Sequence, residues 1–199
     1  MPRNALRASA ALIAAGAFLT GLTAPASAST RSTSTSRVLY ITMQHQENSK
    51  WCWAATGVTI AGYHGAWLSQ NQFCNLANDY PVNDVCPNAA GSAALVKHAL
   101  DRLGFYRSGD DLHNPISYAA VKTQIDVERP FYAGIRWAAG GGHALVVYGY
   151  DDADGGQIMF GNPGQNPPRY RIKPYSYFVS NDTYTWTRTL DNIVRTKQP

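Results

Sequence analysis

The chain has 199 residues, of which 45% are apolar and 15% charged, with a formal net charge of +4. That length indicates one domain with a small appendage, and the apolar share is enough for a packed core. The low charge density argues against a disordered chain, and no Lys/Arg cluster with interleaved aromatics marks a nucleic-acid partner.

Residues 1–28 read as a secretory signal peptide: Arg3 and Arg7 lead, a short apolar run follows, and the Ala-Ser-Ala at Ala26–Ala28 is a small-residue cleavage site. The run is too short for a membrane anchor, so the expected mature protein is soluble and secreted, with no membrane partner. Arg3 and Arg7 leave with the leader, so the mature chain carries about +2. Residues 29–37, polar and aperiodic, read as a flexible arm or a short pro-segment, too short for a folded pro-domain.

The domain is expected over 38–199. "VLYITMQHQ" from Val38 reads as a short strand running into a loop. A helix starts at Cys52 and ends near Gly65, with Gly57 and Gly62 permitting close approach of neighbours. Ser69 caps a second helix that Pro81 terminates. Ser92 and Gly104 bracket a third, with Leu95, Ala99, Leu100 and Leu103 on its apolar face. A fourth follows Ser117.

After Pro130 the texture changes to β-rich runs: "FYAGIRW", "HALVVYGYD" and "QIMFGNP", then "RYRIKPYSYF" and "DTYTWTRTL". Helices first and strands after give an α+β fold, a helical lobe of about 38–128 against an antiparallel sheet lobe of about 129–199.

Three cysteines occur, Cys52, Cys74 and Cys86. In an oxidising compartment thiols pair, and an odd count leaves one over. A Cys74–Cys86 bridge closes a loop of about 13 residues, worth roughly 3 kcal/mol; a bridge from Cys52 to either is the alternative. No CxxC or CxxH spacing supports a zinc site, and no cofactor is implied.

The left-over Cys52 sits at the head of its helix, where unpaired N–H groups and the dipole favour thiolate. A nucleophilic thiol needs a base. His143, after three glycines and leading a hydrophobic strand, is the candidate; His45, His64, His98 and His113 lie in turn or helix-surface settings. The imidazole needs an orienting partner. Asn162 follows the next strand and would stand beside His143 in a hairpin; Asp151 and Asp152 are rivals at the strand's far end. Gln46, with Gln44 as competitor, and the Cys52 backbone N–H could supply oxyanion donors. Trp51 and Trp53 are either core hydrophobes or, for Trp51, a cleft wall.

Gln46, "WCWAA", "GHALVVYGYD" and "GNP", in that order, resemble the papain-like cysteine peptidases, above all the small secreted bacterial branch that includes effector proteases. A cysteine-bearing helix after the active-site helix and the late "TWTRT" fit that branch too. The resemblance runs from about Val38 to Leu190. It implies a papain-like fold and an endopeptidase, with Cys52 as nucleophile, His143 as general base and acid, Asn162 as orienter and Gln46 as oxyanion donor. It implies a protein or peptide substrate, and the chain is expected to be a monomer. An amidase or transglutaminase-like acyl transferase with the same triad, or an inactive binding protein, is the alternative. The sequence departs from the plant-type pattern at Pro163, which follows the asparagine where a shielding tryptophan is common.

Overall fold

The computed structural model describes residues 35–166 and 168–196. The expected signal peptide, and residues 29–34 of the expected arm, lie outside the described residues. Among the described residues, no helix is long and apolar enough to cross a membrane.

The elements in chain order are β1 (Ser36–Val38), α1 (Cys52–Tyr63), α2 (Gln70–Ala77), α3 (Ala93–Arg102), β2 (Arg107–Leu112) and α4 (Tyr118–Asp126). They continue with β3 (Phe131–Trp137), β4 (Gly142–Asp151), β5 (Gln157–Gly161), β6 (Tyr170–Pro174), α5 (Tyr175–Val179) and β7 (Tyr184–Val194). The strands form one antiparallel sheet in the order β2-β7-β3-β4-β5-β6, with β1 also paired to β4. The α+β architecture expected from the sequence is the one observed.

Helix α1 is the hub. Residues Trp53 to Gly62 are all buried, as a helix enclosed on every side requires. It packs on β4 and β3 along one face and on α2 and α3 along the other. Its glycine at 57 marks a close approach: a Cβ there would sit 2.3 Å from Phe73 Cζ of α2. Ser69 caps α2 in a reciprocal box with Gln72. Cys74 of α2 bridges to Cys86, leaving Cys52 free.

Four features differ from the sequence reading. The first strand starts earlier, at Ser36, and Leu39 to Gln46 runs on without ladder pairing, although Leu39, Ile41 and Met43 are buried. Ser92 stands at the start of α3 but its side chain makes no capping bond. The polar stretch "RSGDDL" forms β2, an edge strand held by β7; Gly109 adopts φ +112° there, against Leu190. Finally, "YSYFV" coils into α5 instead of continuing β6, which turns Phe178 into the core. Burial overrode its strand-like alternation.

Candidate active site

Cys52 occupies the first position of α1, preceded by Trp51. Trp51 and Trp53 are both core residues. Their indole N–H groups donate to Pro87 O at 3.2 Å and Ala89 O at 3.1 Å, tying the 87–91 segment to the helix start. A Cβ at Gly91 would meet the Trp53 ring at 2.3 Å, so this segment lies flat against α1.

Facing the thiol is the β3–β4 hairpin. Gly140 and Gly141 take φ of +94° and +82°, conformations that favour glycine, and Trp137 N–H donates to Gly141 O at 3.1 Å. The tight turn fixes the register Ile135↔His143 and Arg136↔Gly142. Cys52 and His143 line one cleft of about 440 Å³, together with the Ala90–Ala93 segment and Tyr132, Gly134 and Arg136 of β3.

The β4–β5 hairpin brings in Asn162. Its last paired residues are Val146 and Gly161. One step further Asn162 faces Leu145, and His143 is the diagonal neighbour on the same face. His143 Nε2 lies 2.9 Å from Asn162 Oδ1. The amide oxygen can only accept, so Nε2 carries the proton and Nδ1 keeps its lone pair. Asn162 Oδ1 also accepts from Gly164 N at 2.8 Å, which fixes the amide before the ring arrives.

Trp137 completes this side. Its ring stacks on the His143 imidazole at 5.7 Å between centroids, with planes 26° apart. The sequence reading found no shielding tryptophan after Asn162; the structure supplies one from β3. The signal was present, since "WAAGGGH" puts Trp137 across a glycine turn from His143. Tyr132 was also passed over, being hidden within a β-rich run.

Gln46 stays beside the centre, its backbone N–H donating to Pro163 O at 2.9 Å next to Asn162, whereas the remaining candidates lie elsewhere. Gln46 is outside the residues lining the cleft, and its Nε2 donates to Asn48 O at 3.0 Å and Ser49 O at 2.8 Å. Both amide hydrogens are thus engaged by its own loop. Gln44 Nε2 donates to Thr42 O. Asp152 pairs with Lys122 at 2.7 Å, and Asp151 Oδ1 accepts from Ala153 N, both at the far end of β4. His45 is exposed beside Gly164 O, His98 pairs with Asp79, and His113 meets Arg188. His64 is packed edge-on against Tyr63 and Phe105, where burial lowers its pKa to about 4.

Electrostatically the pair is held neutral. Burial pushes the Cys52 thiol up, offset in part by the backbone N–H groups of Ala144, Trp53 and Cys52 itself. Burial pushes His143 down, against the bond to Asn162. Desolvation disfavours charge on both groups, so the helix-start advantage expected for the thiolate is outweighed. Among the described residues no group of His, Cys, Asp and Glu could hold a metal ion.

Three comparisons bear on this site. A family model described as papain-like cysteine protease AvrRpt2 matches residues 33–181. No curated protein matches significantly. Among solved structures, the chain resembles the peptidase domain of Streptococcus ComA, a bi-functional ABC transporter involved in a quorum-sensing pathway. The TM-score is 0.59 at 16% identity, covering 79% of this chain and 99% of that one.

Proposed function

Because the chain belongs to the papain-like cysteine protease AvrRpt2 family, and is on that ground a cysteine peptidase, we propose that it is a secreted endopeptidase working through Cys52, His143 and Asn162. The observation that carries this is the His143–Asn162 bond of 2.9 Å beside a free thiol on the same cleft.

The proposed chemistry follows from the protonation states. Neutral His143, with its proton on Nε2, offers Nδ1 as the base. As a peptide carbonyl enters, the Cys52 proton passes to Nδ1 and the sulfur attacks the carbonyl carbon. The imidazolium, steadied by Asn162, then protonates the leaving amine, and water releases the acyl group. The backbone N–H of Cys52 at the helix start supports the developing oxyanion. Gln46 joins it only by releasing Asn48 O or Ser49 O.

Digestion of casein by the mature chain and by Cys52→Ala tests this reading. Cleavage by the wild type alone, abolished by prior alkylation of Cys52, is the expected result. Equal cleavage by both proteins rules it out. Adding a primary amine separates hydrolysis from acyl transfer: amide products would reassign the enzyme as a transferase.

A further inference from the structure

Beyond its Cys–His–Asn centre, the cleft carries a wall rich in cations and donors. Lys50, Arg136 and Arg188 line it, and no aspartate or glutamate does. Arg188 is neutralised by Asp111, which it contacts through Nε at 2.6 Å. Lys50 and Arg136 are exposed, and neither is ion-paired among the described residues. On the same cleft the ten-residue α3 begins with no side-chain cap and no acidic residue in its first turn. Its first N–H groups therefore have no intrahelical acceptor and end a positive dipole.

Tyr132 points to a ligand independently. It is 5% exposed and lines the same cleft. Its ring folds along β3 over Gly134, where a Cβ would lie 3.1 Å from Cε1 and 3.5 Å from the hydroxyl. The hydroxyl has no hydrogen-bond partner among the described residues. The side chain is thus more than nine-tenths enclosed while its hydroxyl reaches the cleft, placed to meet an incoming acceptor.

We propose that this wall is a subsite for a carboxylate, so that the peptidase prefers substrates with an aspartate or glutamate side chain beside the scissile bond. The inference rests on the peptidase reading above and names its substrate class. A carboxylate is an acceptor with several lone pairs; it satisfies the Tyr132 hydroxyl and the α3 N–H groups while two cations balance its charge. A lysine at that position would meet like charge from Lys50 and Arg136, with no carboxylate on the lining to pair it.

The test uses N-acetylated, C-amidated quenched peptides, identical except for Glu, Gln or Lys at each position flanking the cleaved bond. At low salt the Glu peptide should exceed its Gln twin in kcat/KM by about ten-fold at one position, each exposed cation supplying roughly two- to five-fold. The ratio should shrink in 0.5 M salt, where screening is strong. It should also narrow in Lys50→Gln, Arg136→Gln and Tyr132→Phe, mainly through KM, and hold in Lys97→Gln on the outer side of α3.

Binding of the same peptides to Cys52→Ala gives a second readout without turnover. If the wild type cleaves nothing, the peptidase reading falls, while tighter binding of the Glu peptide still upholds the subsite. Equal handling of Glu and Gln in both assays, a ratio untouched by all three variants, or preference for a free C-terminal carboxylate over the Glu side chain overturns it.

Discussion

Replacing Asn162 with alanine tests the centre at its most constrained point. Asn162 Oδ1 accepts two bonds, from His143 Nε2 at 2.9 Å and from Gly164 N at 2.8 Å. The two losses act on different quantities. The Gly164 bond joins neutral groups, so its removal costs about 1 kcal/mol of folding stability. The His143 bond strengthens when the ring becomes imidazolium, from about 1 kcal/mol to roughly 1.5–3 kcal/mol. Only that increment, about 0.5–2 kcal/mol, raises the barrier, which corresponds to a loss of roughly 2- to 30-fold in kcat/KM. A pH signature accompanies it. The Asn162 bond holds the His143 pKa up against burial, so the acid limb of kcat/KM should move to lower pH in Asn162→Ala and to higher pH in Asn162→Asp. The assay is a pH series on a quenched peptide, with thermal melts run in parallel. Activity within two-fold of wild type and an unmoved acid limb would refute the reasoning, because a merely structural asparagine would alter the melt alone.

Three further outcomes are expected. Alkylation of free Cys52 by iodoacetamide should accelerate as pH rises through neutrality into the alkaline range, since burial raises the thiol; a rate already at its plateau near pH 5 would mean a resting ion pair instead. Trp137→Ala should admit water to the His143–Asn162 bond and reduce kcat/KM by about 5- to 10-fold, one such bond's worth, while Trp137→Phe keeps most of it; equal rates in all three proteins would deny the shielding role. Gly57→Ala drives a methyl into Phe73 and should destabilise by about 1–3 kcal/mol, read from urea midpoints; an unchanged midpoint would show that α2 can retreat.

Much of the frame was legible because it depends on local chemistry. Cysteine parity pointed to Cys74–Cys86, the bridge the structure contains. The glycine turn before His143 and the following strand implied a hairpin stack, and hence the proximity of His143 and Asn162. What escaped notice depends on partners remote in sequence. β2 is a strand only because β7 offers it an edge, and α5 coils only because the core has room for Phe178. Gln46 looked free as a letter, yet the turn at 46–49 engages its amide. The direction of the Cys52 shift was unreadable for a similar reason. A helix start is visible in sequence, whereas the burial that outweighs it comes from the surrounding fold.

The opening strand has an architectural consequence. Ser36 pairs with Asp151, eight residues along β4 from His143, a distance of ~26 Å. The polypeptide thus enters this domain at the pole opposite the nucleophile. A reporter or carrier joined ahead of Ser36 would emerge on the remote side, leaving the mouth of the groove unobstructed for incoming polypeptide.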